Sequence, residues 1–141
     1  MPTRSPAAAS RLQTDRLVDA ATRVRELAYA PYSRFKVGAA VVSKSGAIYA
    51  GCNVENASYG LSLCAERAAI AAAVAAGDSE IAGVAVVTGS DSPAPPCGMC
   101  LQTLLEFADP KVPVILRTLR GRTRRLLLRE LMPHGFGPSY L

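Results

Sequence analysis

The chain reads as an α/β domain, with one mixed sheet of five strands held between helices as a three-layer α-β-α sandwich. Three observations lead there. Apolar periodicity switches between helical and strand spacing in the order α-β-β-α-β-α-β-β. The run Ile81–Thr88 is apolar without alternation, as an interior strand covered on both faces is. Finally, 24 of the 141 residues are alanine, so the core must be built from closely approaching backbones more than from large side chains.

Residues 1–11 are rich in Pro, Ala, Ser and Thr and read as a disordered tail, leaving 12–141 as a single domain. From Thr14 the spacing is helical: Leu17, Val18, Ala21, Val24, Leu27 and Ala28 share a face, Thr14 or Asp15 is the expected N-cap, and Pro31 ends the segment. Phe35–Ser43 and Ala47–Val54 are β-rich runs around Lys44-Ser45-Gly46, which predicts a hairpin, the one antiparallel hairpin expected in the sheet. Cys64–Ala76 is helical and almost wholly apolar, with Gly77 as its stop; apolar on every side, it is expected at the centre of the molecule. After the Ile81–Thr88 strand comes a Ser/Asp/Pro loop over 89–96. Gly98–Ala108 is then helical, with Leu101, Leu104, Leu105 and Ala108 on one face. Val112–Leu119 and Thr123–Leu128 read as strands around Arg120-Gly121-Arg122, and the chain closes with a short helical turn and an irregular end.

Composition narrows the classes of function. With 50% apolar and 19% charged residues the chain is globular. Its longest apolar run, Ala68–Ala76, is nine residues against the roughly 20 of a membrane-spanning helix. The first ten residues hold no apolar stretch of the export-signal kind, so a soluble cytoplasmic protein without a membrane partner is expected. The net charge of +5 is carried by thirteen Arg and three Lys, with six of the Arg between Arg117 and Arg129. Such a cluster suits a nucleic-acid surface or a solvated strand and turn. No aromatic residue interleaves with these arginines to stack bases, which favours the solvated edge.

The four cysteines are Cys52, Cys64, Cys97 and Cys100. In a reducing compartment a CxxC pair with a distant third cysteine reads first as a metal site. Cys64-Ala65-Glu66-Arg67 and Pro96-Cys97-Gly98-Met99-Cys100 both lie where a loop becomes a helix, and a helix N-terminus stabilises thiolates. Three protein ligands leave a fourth position open for water, the mark of a catalytic zinc. Two other readings remain at this level. Cys52 could close the site as a fourth ligand and make it structural, or Cys97 and Cys100 could form a redox dithiol. Glu66 favours catalysis: a carboxylate in a largely apolar helix start is costly, and two residues from a ligand it can accept a proton from metal-activated water.

The fragments YAPYSRF (29–35), GCNVEN (51–56), CAER (64–67), PCGMC (96–100) and LMPHGF (131–136) together resemble the zinc-dependent cytidine deaminases, of the small homotetrameric kind that acts on free nucleosides. The resemblance covers nearly all of the chain after the tail. It implies one zinc ion per chain on Cys64, Cys97 and Cys100, and Glu66 as the proton shuttle. Zinc-bound hydroxide would attack C4 of the pyrimidine; Glu66 would protonate N3 and then the departing amine, in a pyrimidine-salvage reaction converting cytidine and deoxycytidine to uridine and deoxyuridine. Asn53 and Glu55 match the residues that hold the ribose hydroxyls. Phe35 matches an aromatic beside the substrate, the backbone at Ala65 a reader of the pyrimidine edge, and Phe136 an aromatic reaching the base from a neighbouring subunit. Arg67 matches a cation that offsets the thiolate charge, and Tyr59 a position at a subunit contact. The expected partners are a nucleoside and further copies of the chain, in a homotetramer, without nucleic acid. His134, the sole histidine, is given no catalytic role, and Met99 is the spacer of the CxxC.

One position departs from the family pattern. The residue after the third cysteine is usually Arg followed by Gln, and here Leu101 precedes Gln102. A neighbour of metal ligands typically changes affinity or activity by about 10–100-fold, so rate and substrate range are open to change. Another aminopyrimidine nucleoside, such as a nucleoside antibiotic, is the alternative substrate. From another class, the alternative is a zinc-stabilised nucleic-acid-binding module using the arginine cluster.

Overall fold

The computed structural model describes residues 6–141, and the first helix, α1 (Pro6–Arg25), begins at its edge. Residues 1–5 of the expected tail lie outside the described residues, and 6–11 are the opening turns of α1 instead of a disordered segment. Proline is well placed at the start of a helix, where its missing N–H has no partner to lose, and the alanines after it are strong helix formers. These outweigh the capping residues at 14 and 15. Leu27, assigned to the apolar face by its spacing, falls beyond the helix end and is 78% exposed.

Five strands follow the expected order: β1 (Val37–Ser43), β2 (Ile48–Cys52), β3 (Ile81–Thr88), β4 (Pro113–Thr118) and β5 (Thr123–Leu127). They form one sheet in the order β2-β1-β3-β4-β5. β1 is antiparallel to both β2 and β3, β3 and β4 are parallel, and β4 and β5 are antiparallel. The sheet therefore contains two hairpins where one was expected, because the turn around Gly121 (φ +89°) folds β5 straight back onto β4.

Strand alternation divides the core into two layers. Ala40, Val42, Ala85, Val87 and Ile115 pack with Leu17, Val18 and Ala21 of α1. Ala39, Val41, Val84, Val86, Val114 and Leu116 point the other way, into the layer formed by α2 (Ala65–Ala75) and α3 (Gly98–Phe107). The sandwich is thus three-layered. Small residues set its spacing: a Cβ on Gly38 would lie 1.9 Å from the Ala21 carbonyl oxygen, and one on Gly51 would lie 2.4 Å from the Ala69 nitrogen.

Helix α2 is not buried on every side. Ala65, Glu66, Ala69, Ile70 and Ala73 form one buried face, whereas Ala71, Val74 and Ala75 are exposed within the single chain. Its C-terminus closes as expected at Gly77 (φ +87°): the Gly77 N–H donates to the Val74 carbonyl at 3.0 Å and the Asp78 N–H to the Ala73 carbonyl at 2.9 Å. A four-residue helix, α4 (Leu128–Leu131), follows β5 and buries Leu128.

Candidate active site

The two cysteine fragments converge because α2 and α3 begin at the same end of the sheet. Cys64 is the N-cap of α2 and Cys97 the N-cap of α3, both with extended backbone, and Cys100 follows in the first turn of α3. The Sγ atoms of Cys64 and Cys97 are 3.8 Å apart and those of Cys97 and Cys100 3.6 Å. All three lie within 4.8 Å of one another. Zinc–sulfur bonds of about 2.3 Å at tetrahedral angles put sulfurs about 3.8 Å apart, so the triad has the dimensions of a zinc site. Among the described residues this is the cluster of metal-ligating type, and Cys52, at the end of β2, is not part of it.

The charges favour thiolate at Cys64. Cys64 is lowered to about 5, foremost by the hydrogen bond that the Cys100 thiol donates to it, with Arg67 and Cys97 adding to the effect. Cys100 is pushed up, chiefly by that same bond and then by burial. Arg67 Nη2 donates to Cys64 Sγ at 3.6 Å and to the Ser62 carbonyl at 3.3 Å. Its Nε is buried without a protein partner. The guanidinium is therefore committed to the thiol cluster and not to a surface ion pair.

Glu66, in the first turn of α2, is 4% exposed. Burial, above all, raises its carboxyl above the ordinary glutamate range, and negative charge at Cys64 adds to this. A buried acid that holds its proton more tightly is suited to general acid–base work.

Cys64, Cys97 and Glu66 line a cavity of about 280 Å³, with Val37, Leu63 and Val86 on its apolar wall, Phe35 beside them, and Asn53 and Glu55 at its polar side. A miniature ladder fixes those last two. Tyr29 N–H donates to the Asn53 carbonyl at 3.0 Å, Glu55 N–H donates to the Tyr29 carbonyl at 2.8 Å, and Val54 and Leu63 exchange two bonds of 2.9 Å. Strand alternation then sends side chains 53 and 55 the same way, into the cavity. Asn53 also explains why β1 starts at Val37 and not at Phe35. Its Oδ1 accepts from the Val37 N–H at 2.8 Å and its Nδ2 donates to the Phe35 carbonyl at 2.8 Å, replacing strand partners. One N–H of that amide and one lone pair remain for a ligand. Ala65, the first residue of α2, lines the cavity where helix N–H groups have no intrahelical partner.

Phe136 does not line the cavity of its own chain. It is exposed and stacks on Tyr140 at 5.5 Å, while its carbonyl accepts from Gln102 Nε2 at 2.6 Å. His134 is exposed, and Met99 points outward between the cysteines. Sequence reasoning missed Ser33, Thr88 and Ala94-Pro95 as lining residues. Ser33 lies within YAPYSRF, but nothing in its spacing marks it; the others follow only from where β3 ends.

Residues 12–116 match the family described as cytidine and deoxycytidylate deaminase zinc-binding region. The chain belongs to that deaminase family. It is 43% identical over 120 residues to the cytidine deaminase of Halalkalibacterium halodurans, covering 85% of this chain and 91% of the relative. To the cytidine deaminase of Mycobacterium tuberculosis it is 44% identical over 117 residues, covering 83% and 84%. The crystal structure of cytidine deaminase from Burkholderia pseudomallei superposes with a TM-score of 0.83 at 47% identity, over 86% of this chain and 98% of that one. As a member of a zinc-binding deaminase family, this chain is an enzyme whose cofactor is zinc, and Cys64, Cys97 and Cys100 are the cluster that fits it. No described helix is long and apolar enough to cross a membrane.

Proposed function

We propose that this deaminase converts cytidine and deoxycytidine to uridine and deoxyuridine with release of ammonia, as a cytoplasmic pyrimidine-salvage enzyme. The observation that carries the reading is the buried Glu66 beside three thiols at tetrahedral spacing, facing a nucleoside-sized cavity. Zinc, when bound, supplies a Lewis-acidic open position that acidifies water. Cys64, Cys97 and Cys100 hold the ion, and Arg67 offsets part of their negative charge. Glu66 takes the proton of the water that adds to C4 and delivers it to ring N3. It then carries the remaining hydroxyl proton of that water to the amino group, and the C4–N bond breaks as ammonia leaves and the C4 carbonyl forms. Ala65 presents backbone to the pyrimidine edge, Phe35 packs beside the substrate, Asn53 can donate and accept at the ribose hydroxyls, and Glu55 accepts from them. A 3′-linked polynucleotide lacks the free hydroxyl that Glu55 would hold, which supports a free nucleoside as substrate.

The same reading has the chain act as a homotetramer in which Phe136 completes a neighbour's site. Its support is that Tyr59, Leu61, Val74 of α2, Met99 and Phe136 are all exposed in one chain. Three free thiols at one site also suit a reducing cytoplasm. The test is loss of ultraviolet absorbance with cytidine and deoxycytidine on protein of assayed zinc content, with mass in solution measured alongside. Turnover at about one zinc per chain is expected, and Glu66→Gln should abolish it while leaving zinc and fold intact. No turnover with zinc bound would point to another aminopyrimidine; full activity as a monomer would refute the tetramer. Steep loss of ligand affinity with salt would instead favour a phosphate-binding module on the arginine cluster.

A further inference from the structure

The loop joining α1 to β1 is tied to Glu55 by Ser33. Glu55 Oε1 accepts from the Tyr32 N–H at 2.9 Å and from the Ser33 N–H at 3.1 Å, and its Oε2 accepts from the Ser33 hydroxyl. That hydroxyl oxygen also accepts from the Phe35 N–H at 3.0 Å. Between them Arg34 sits at φ +57°, a left-handed backbone that a residue with a side chain adopts only when its surroundings hold it there. Ser33, Phe35 and Glu55 all line the cavity.

A carboxylate has about four lone-pair positions, and this loop takes three of them. The one left over is on Oε2, and its direction is set by the Ser33 hydroxyl on the same oxygen. One serine oxygen therefore orients the carboxylate and, through the Phe35 amide, fixes the aromatic beside it. The same bonds hold the Glu55 carboxyl below the ordinary glutamate range, so it meets a ligand as an ionised acceptor.

We propose that Ser33 is a positioning residue for sugar recognition, its hydroxyl aiming the free lone pair of Glu55 at the 3′-hydroxyl of a nucleoside. This rests on the reading that Glu55 accepts from that hydroxyl. It differs from a general loop-stabilising role, because it acts on one substrate group only.

The experiment compares cytidine with 3′-deoxycytidine on the zinc-loaded enzyme, for wild type, Ser33→Ala, Ser33→Thr, Glu55→Gln and the Ser33→Ala/Glu55→Gln double variant. Ser33→Ala should raise KM for cytidine about ten-fold with kcat changed less than about two-fold, since the sugar contact is remote from C4. The penalty should fall below about two-fold with 3′-deoxycytidine and in the Glu55→Gln background, and Ser33→Thr should restore most of the loss. If Ser33→Ala does not fold, Ser33→Cys, with a weaker donor, is read the same way. Equal penalties on both nucleosides, or additive penalties with Glu55→Gln, would overturn the proposal. If wild type itself treats the two nucleosides alike, the Glu55 reading fails first and takes the proposal with it.

Discussion

Arg67 and Cys64 are three residues apart at one helix start, and Arg67 Nη2 reaches Cys64 Sγ at 3.6 Å. In α2 that spacing sets both on one face, so the CAER fragment carries its ligand and its counter-charge on a single rigid turn. The bond favours thiolate at Cys64 and holds the guanidinium above its ordinary value. Arg67→Gln should therefore weaken zinc retention or kcat/KM by about 10–100-fold. Arg67→Lys should recover only part, because both bonds leave from Nη2 at the end of a rigid, delocalised plane, whereas an ammonium is a strongly hydrated point charge on a flexible stem. Chelator competition and steady-state kinetics read both, and unchanged values would remove Arg67 from the metal centre.

Leu101 directly follows Cys100 of the thiol cluster, yet it is 8% exposed and packs in the core layer with Leu104, Val114 and Leu116. Its side chain serves the sheet contact of α3 and not the thiols. Leu101→Ala should cost about 2–5 kcal/mol of folding stability, as buried leucine truncations do, with zinc stoichiometry unchanged. Denaturant unfolding measures the first and metal assay the second. A loss under about 1 kcal/mol would place the side chain outside the packed layer.

Gly51 lets α2 lie close against β2. An added Cβ would lie 2.4 Å from the Ala69 nitrogen and 2.7 Å from the Ala65 carbonyl oxygen, both backbone atoms that cannot rotate away. Gly51→Ala should cost about 1–3 kcal/mol and also lower kcat, because the helix it displaces carries Cys64 as cap and Glu66 in its first turn. Loss of stability with full kcat would mean that the strain is absorbed in β2.

The metal centre was legible in the sequence because its chemistry is local. Each cysteine fragment carries its own helix start, and Glu66 announces itself as an acid among alanines. The cavity wall was less so. Thr88 and Pro95 belong to it only because β3 stops beside the start of α3, a relation set by sheet order. The first turns of α1 are not legible in the sequence, because a Pro-Ala-rich composition suits both a tail and a helix start. The exposed side of α2 is hidden for a different reason: apolar periodicity cannot tell a face covered by the same chain from one left open.

Asp78 closes the opposite end of α2 onto the β1–β2 hairpin: its Oδ2 accepts from Tyr49 Oη at 2.6 Å, Ser45 Oγ at 3.0 Å and Ser43 Oγ at 3.1 Å. The Tyr49 bond, foremost, lowers the Asp78 carboxyl below its ordinary range and raises the Tyr49 phenol above its own. For the acid, stabilisation is present above the unfolded aspartate value of about 3.9 and is lost as pH falls through the lower folded value. For the phenol it is present below about 10 and is lost as pH rises through the higher folded value. Asp78→Asn should therefore lower Tm at neutral pH, and the gap to wild type should narrow on acidification below about pH 4. Loss of zinc from protonated thiolates adds an acid limb of its own. Because that limb is common to both proteins, the quantity to follow is the difference in Tm at each pH. A gap that stays constant from neutral pH to pH 3 would show that the Asp78 charge contributes nothing to holding the helix to the hairpin.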